Sequence, residues 1–190
     1  MLEMRHSTGT RDATITVFFD AFCRECVREA EIPRVLAMTT VSESAFYEQF
    51  HSKENAVSAF LKDRHAIWMR WFEKEIEARY KATGGGLEII ADVLQEAFED
   101  PKYFGLAFMN IVTEGNGASN GEPFVIAREQ REYLRRFLEQ LAATMGLQDP
   151  GMAASAAVLV INQTIIQTLM TGSVKEVQAA RLLFQCIQHA

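Results

Sequence analysis

The 190-residue sequence has too few cysteines for a disulfide framework: there are three, Cys23, Cys26 and Cys186. An odd, sparse set of thiols fits a reducing compartment better than a secreted scaffold. It also lacks a long uninterrupted apolar run. The most apolar stretch, Met152 to Met170, is broken by Ser155, Asn162, Gln163, Thr164, Gln167 and Thr168, which suits a buried helix rather than a membrane span. Residues 1–17 carry Glu3, Arg5, Arg11 and Asp12, so no secretory leader is expected and the location expected is cytoplasmic. A basic surplus is missing too. Nineteen Lys and Arg stand against 25 Asp and Glu, a net charge of −6, which excludes a chain-wide coat for nucleic acid but leaves room for a local footprint. No segment alternates apolar and polar residues cleanly enough for a strand.

What is present is helical periodicity. Hydrophobic residues make up 48% of the chain and charged ones 23%, enough for a sizeable core. Ile15, Phe18, Phe19, Phe22 and Cys26 share one face of a helix that starts near Thr10. A short helix is predicted from about Pro33. After Thr39-Thr40-Val41, Ser42 is placed to cap a second short helix, Glu43 to Gln49, with Phe46 and Phe50 inward. Ser52 then caps a long helix bearing Val57, Phe60, Leu61, Trp68, Trp71, Phe72 and Ile76, which Gly84-Gly85-Gly86 ends. Further helices are expected around Leu87 to Phe98, from Asp100-Pro101 to about Thr113, and through Leu134 to Leu141. Another should run from Asp149-Pro150 to Gly172, and a last one should open with a capping box of Ser173 and Glu176. Residues 114–123 read as a loop. The expected fold is all-α, with about nine helices: a three-helix unit over residues 1–52 and a helical body over residues 53–190.

Three helices joined by a tight turn, the third short, form a helix-turn-helix, whose second short helix enters the major groove. At this point the sequence resembles the TetR family of transcription regulators. The resemblance runs without a gap from Phe18 to Phe50, through Phe-Tyr-Glu-Gln-Phe (46–50) and Ser-Lys-Glu (52–54). Phe22 matches the last large apolar residue of the family's first helix, and Ile32 and Val35 match apolar positions of the second. Val41-Ser42 matches the start of the recognition helix, Phe46-Tyr47 its leucine-tyrosine pair, and Phe50 its phenylalanine. The resemblance implies an Ω-shaped homodimer that binds double-stranded operator DNA, usually as a repressor, and leaves it when a small molecule enters the body. It departs from the family where Cys26, Thr40 and Ser44 replace customary glycines, and Thr40 is expected to strain the turn. Residues 42–50 hold two glutamates and no Lys or Arg, and residues 1–52 have a net charge of −3.

On this reading the DNA-facing residues are Ser42, Glu43, Ser44, Ala45, Tyr47 and Glu48 of the recognition helix, with Thr10, Arg11 and Lys53 beside them. Tyr47, Lys53 and the Thr10-Arg11 helix start are assigned to phosphates, and Ser44, Glu43 and Glu48 to base edges. A hydrophobic effector pocket is expected from Trp68, Trp71, Phe72, Phe98, Tyr103, Phe104, Phe108 and Met109, near the polar Asn110, Asn162, Gln163 and Gln167. The helix from Pro150 to Thr171 is apolar on nearly all sides, so a two-fold contact through the last two helices is expected.

Other signals point away from chemistry. Cys23 and Cys26 form C-x-x-C late in a helix, where the dipole does not lower a thiol pKa, and read as apolar fillers. Cys186, His51 and His65 lack chelating spacing, so no metal is expected. The triple glycine has no following Lys-Ser/Thr, and no serine stands in G-x-S-x-G, so neither a catalytic set nor a cofactor is expected. The acidic recognition helix motivates a second reading: a protein of the same shape that no longer reads DNA and acts as a co-regulator or small-molecule binder.

Overall fold

Most of the helix starts and several of the stops follow from a local signal. The computed structural model describes residues 31–99 and 121–190, which hold seven helices and no strand. Pro33 lies in the first turn of α1 (Ile32–Ala37). Ser42 caps α2 (Glu43–Phe50), its Oγ accepting from the Ala45 N–H at 3.2 Å. Ser52 caps α3 (Lys53–Thr83) through the Asn55 N–H at 3.1 Å, and Gly84, at φ 61°, follows its last residue. α4 runs Ile89–Glu99. α5 (Glu122–Thr144) starts inside the stretch read as a loop, because Pro123 suits a first helical turn as well as a turn outside one. Asp149 caps α6 (Pro150–Thr171), accepting from the Met152 N–H at 2.9 Å, and Gly172 closes it at φ 64°.

One expected cap is replaced. α7 (Lys175–Gln188) has Val174 at its N-cap, with no side-chain cap bond. Ser173 instead accepts from the Lys175 N–H two residues on, a local turn that competes with the capping box. The two helices expected near Thr10 and after Asp100 lie outside the described residues.

The chain divides into two compact units. In the first, residues 31–65 together with 121–127, a core forms from Ile32, Val35 and Leu36 of α1, Phe46 and Phe50 of α2, Val57, Phe60 and Leu61 of α3, and Ile126 of α5. Lys62 donates to Glu122 at 3.0 Å beside it. The division expected after residue 52 falls at the start of α3.

In the second unit, residues 66–99 and 128–190, Phe72 and Ile76 of α3 pack with Ile90 and Leu94 of α4, Leu138 of α5, Ala157 and Ile161 of α6, and Phe184 of α7. Arg79 bridges α3 to α4, donating to Glu75 at 2.8 Å and to Glu96 at 2.5 Å. Arg181 of α7 pairs with Asp92 of α4. The Gln188 carboxamide accepts from the Leu87 N–H at 3.0 Å, fixing the end of α7 to the turn before α4. α6 is the one described helix long and apolar enough to cross a membrane; here its Ala154, Ala157, Val158 and Ile161 line this core.

Candidate functional site

The turn between α1 and α2 is closed by a side chain. The Thr39 hydroxyl donates to the Leu36 carbonyl at 2.9 Å and accepts from the Val41 N–H at 3.1 Å. Thr40 does not have a positive φ, so the strain expected from its replacing a glycine is not there. Thr39 supplies locally the hydrogen bonds that a left-handed residue would otherwise arrange.

α2 is held from behind. Phe46 and Phe50 are buried, their ring centroids 5.2 Å apart, and Tyr47 meets the Phe46 ring edge-on at 5.2 Å. At about 100° per residue, the direction opposite the mean of Phe46 and Phe50 falls on Glu48, with Ser44 one turn before it. Ala45 lies to one side of that line, and Tyr47 and Glu43 to the other. All five of these side chains, and Ser42, are exposed. Ser42 and Ser44 Oγ atoms lie 3.1 Å apart. Ser42, Glu43, Ser44, Ala45, Tyr47 and Glu48 are thus all exposed on α2 or at its cap, and Lys53 stands half-buried in the first turn of α3. Thr10 and Arg11 lie outside the described residues.

Behind α2, His51 takes φ 63°, the sole positive φ of a non-glycine among the described residues. Its main-chain N–H and its ring Nδ1 each lie 3.0 Å from the Tyr47 carbonyl. Sequence reading did not single this residue out for a role here; its place just after the last apolar residue of a short helix was the available sign.

In the second unit, Trp68 stacks on Phe72 with centroids 4.7 Å apart, and Phe72 meets Phe137 at 6.0 Å. Trp68, Trp71 and Phe98 are half-buried against the core, while Phe72 is wholly enclosed. The indole N–H groups of Trp68 and Trp71 are buried and have no hydrogen-bond partner among the described residues, a costly state for a donor. The Thr168 hydroxyl of α6 shares that condition. Asn162 and Gln167 are half-buried, whereas Gln163 is exposed, on the outward stripe of α6 with Leu159 and Met170. Tyr103, Phe104, Phe108, Met109 and Asn110 lie outside the described residues.

A cleft of about 640 Å³ opens between α3 and α5, lined by Glu73, Glu77, Tyr80, Tyr133, Arg136 and Phe137 among others. A hydrogen bond to Glu73 holds the Tyr133 phenol above its ordinary pKa. Sequence reading missed this cleft; its only signal was the shared helical phase of Glu73, Glu77 and Tyr80 on one helix and of Tyr133, Phe137 and Gln140 on another. His65, half-buried, has its pKa pushed down to about 4 by desolvation. Among the described residues no group of three His, Cys, Asp or Glu is placed to hold a metal ion.

No family model matches the sequence, and no curated protein matches it. Solved structures do. The reduced form of NemR from E. coli aligns with TM-score 0.73 at 14% identity, over 92% of this chain and 97% of that one. SCO4454, a TetR-family transcriptional regulator from Streptomyces coelicolor, aligns with TM-score 0.76 at 15% identity, over 94% of both chains. The regulatory protein TetR from Rhodobacter sphaeroides aligns with TM-score 0.71 at 15% identity, over 90% and 96%. At such identities the similarity establishes the fold: this chain is all-α and shares the architecture of TetR-family regulators over most of its length.

Proposed function

We propose that the chain is a TetR-like transcription regulator that binds operator DNA as a homodimer and releases it when a small molecule enters the helical body. The observation that carries this reading is α2: a capped eight-residue helix, pinned by Phe46 and Phe50, presenting its remaining side chains outward. It sits within a fold shared with known regulators over nine-tenths of the chain. A helix so mounted fits the major groove, and this reading gives the Tyr47 hydroxyl and Lys53 to phosphates.

Dimerisation is supported by an apolar face left open on the last two helices. Met152, Leu159 and Met170 of α6 are 67%, 63% and 77% exposed, and Leu182 and Leu183 of α7 are 63% and 51% exposed. Large apolar groups that recur along two packed helices favour a self-complementary partner. The effector region is supported by Trp68, Trp71, Phe72 and Phe98, whose two unsatisfied indole donors suit a largely apolar compound with an acceptor atom. Binding that prefers the DNA-incompetent arrangement of the dimer shifts the population away from the operator. Repression, as the commoner output of such release, and a cytoplasmic site complete the proposal.

A second reading has its own observation. Glu43 and Glu48 are exposed on α2, and residues 42–50 contain no Lys or Arg, so the helix itself repels phosphates. A regulator-shaped protein that binds another protein or a small molecule without reading DNA accounts for that. Fluorescence anisotropy separates the two. Saturable, salt-sensitive binding to the DNA flanking the protein's own gene is expected. Absence of such binding both there and to a randomised duplex pool would replace the first reading with the second.

A further inference from the structure

We propose that Glu48 is the base-reading residue of α2 and that it selects a cytosine in each operator half-site, through the cytosine N4 amino group. The inference rests on the DNA reading of α2 given above and names what that helix reads.

Among the outward residues of α2, Glu48 lies farthest from the buried Phe46 and Phe50, at the centre of the exposed face, with Ser44 one turn before it. Among the described residues no ion pair or hydrogen bond engages the Glu48 side chain. An ionised carboxylate only accepts hydrogen bonds. In the major groove guanine offers two acceptors, N7 and O6, and thymine an acceptor and a methyl group. Both oppose a carboxylate. Adenine places the N7 acceptor beside its amino group, whereas cytosine presents its N4 amino group alone. The carboxylate therefore discriminates chiefly by penalty. Opposite guanine or thymine it is desolvated without a donor, opposite adenine its second oxygen meets the N7 acceptor, and in each case it stays near phosphates that repel it.

The rest of the helix reinforces this. With no Lys or Arg in residues 42–50, no side chain of α2 can grip guanine O6 and N7 in the usual two-pronged way. Ser44 accepts or donates and so adds contact without choosing a base, and Ala45 can meet a thymine methyl at the flank. Glu43 lies off the central line, at the first residue of α2.

The test is selection of a random-sequence duplex pool by the full-length protein, followed by sequencing of the retained DNA. The wild type is expected to give one cytosine position per half-site, preferred roughly 5- to 100-fold over other bases. In Glu48→Ala that preference disappears. In Glu48→Gln it moves to adenine, which a carboxamide grips through N6 and N7. Glu54→Gln, a control for loss of one exposed negative charge outside α2, keeps the cytosine. Because Glu48 is exposed, the variants keep the wild-type circular dichroism and melting temperature. Retained DNA with no cytosine position, or a cytosine that survives Glu48→Ala, overturns this inference while leaving the DNA-binding reading standing. A wild type that retains no duplex overturns that reading and this inference with it.

Discussion

His51 turns its backbone N–H and its ring nitrogen onto a single oxygen, the carbonyl of Tyr47, at 3.0 Å each. That oxygen is one of the acceptors left over at the end of α2. Two donors satisfy it, and the residue supplying them sits at φ 63°. His51→Val is expected to lower stability by about 1–3 kcal/mol, since a β-branched side chain tolerates that angle poorly and brings no donor. His51→Gly relieves the strain but loses the ring contact, and is expected to lie within about 1 kcal/mol of wild type. Urea unfolding measures both. A Val variant as stable as wild type would show that the angle carries no strain.

Thr39 and Thr40 differ in role although they are neighbours. Thr39→Val removes both hydrogen bonds that close the turn and is expected to cost about 1–2 kcal/mol. Thr40→Gly restores the glycine customary in the TetR family, yet it is expected to destabilise by about 0.5–1 kcal/mol. Where φ is negative, glycine only adds freedom to the unfolded chain. A rise in melting temperature for Thr40→Gly would contradict the observed turn.

His65 ties stability to pH. Its folded pKa of about 4 lies below the ordinary 6.5, so between these values the unfolded chain takes up a proton that the folded chain refuses. Its neutral form supports folding fully above pH 6.5, and that support is lost as pH falls from 6.5 towards 4. Glu122 and Glu132 are held below the usual carboxylate pKa by hydrogen bonds from Lys62 and Arg135, so they weaken the fold only in a more acidic range. Denaturation midpoints across pH 7 to 4.5 should fall for wild type and stay flatter for His65→Gln. Parallel curves would remove His65 as the cause.

The open face of α6 and α7 predicts assembly. Sedimentation at micromolar concentration should give a species of twice 21.4 kDa. Leu159→Glu combined with Leu182→Glu should shift it to the single-chain mass, because two charges would enter an apolar contact. Both side chains are exposed within one protomer, so its helix content should be retained. A wild type that sediments as one chain would defeat the two-fold contact.

Much of this was legible in the residues because it is decided locally. The caps at Ser42, Ser52 and Asp149, the stops at Gly84 and Gly172, and the inward phase of Phe46 and Phe50 each depend on a few neighbouring positions. What was hidden depends on distant partners. α6 is apolar on nearly every side, so its sequence gives no phase. In the folded chain the small Ala153, Ala154 and Ala157 turn inward where helices approach closely, and Met152, Leu159 and Met170 turn out. Gln163 lies among the exposed residues of α6. The cleft between α3 and α5 was equally invisible, since each helix contributes half of it and neither half is unusual alone. Thr39 was overlooked because two adjacent threonines offered the same hydroxyl and only the folded turn chooses between them.

The presence of Ile126 and Glu122 beside the N-terminal core has a consequence for biosynthesis. A ribosome adding about 5–20 residues per second needs roughly 3–13 s to go from Leu61 to Ile126. Until then the core cluster that holds Val57, Phe60 and Leu61 lacks Ile126. The nascent chain thus exposes apolar surface through that interval, and a truncation product ending near residue 100 would be a ready client for chaperones and proteases.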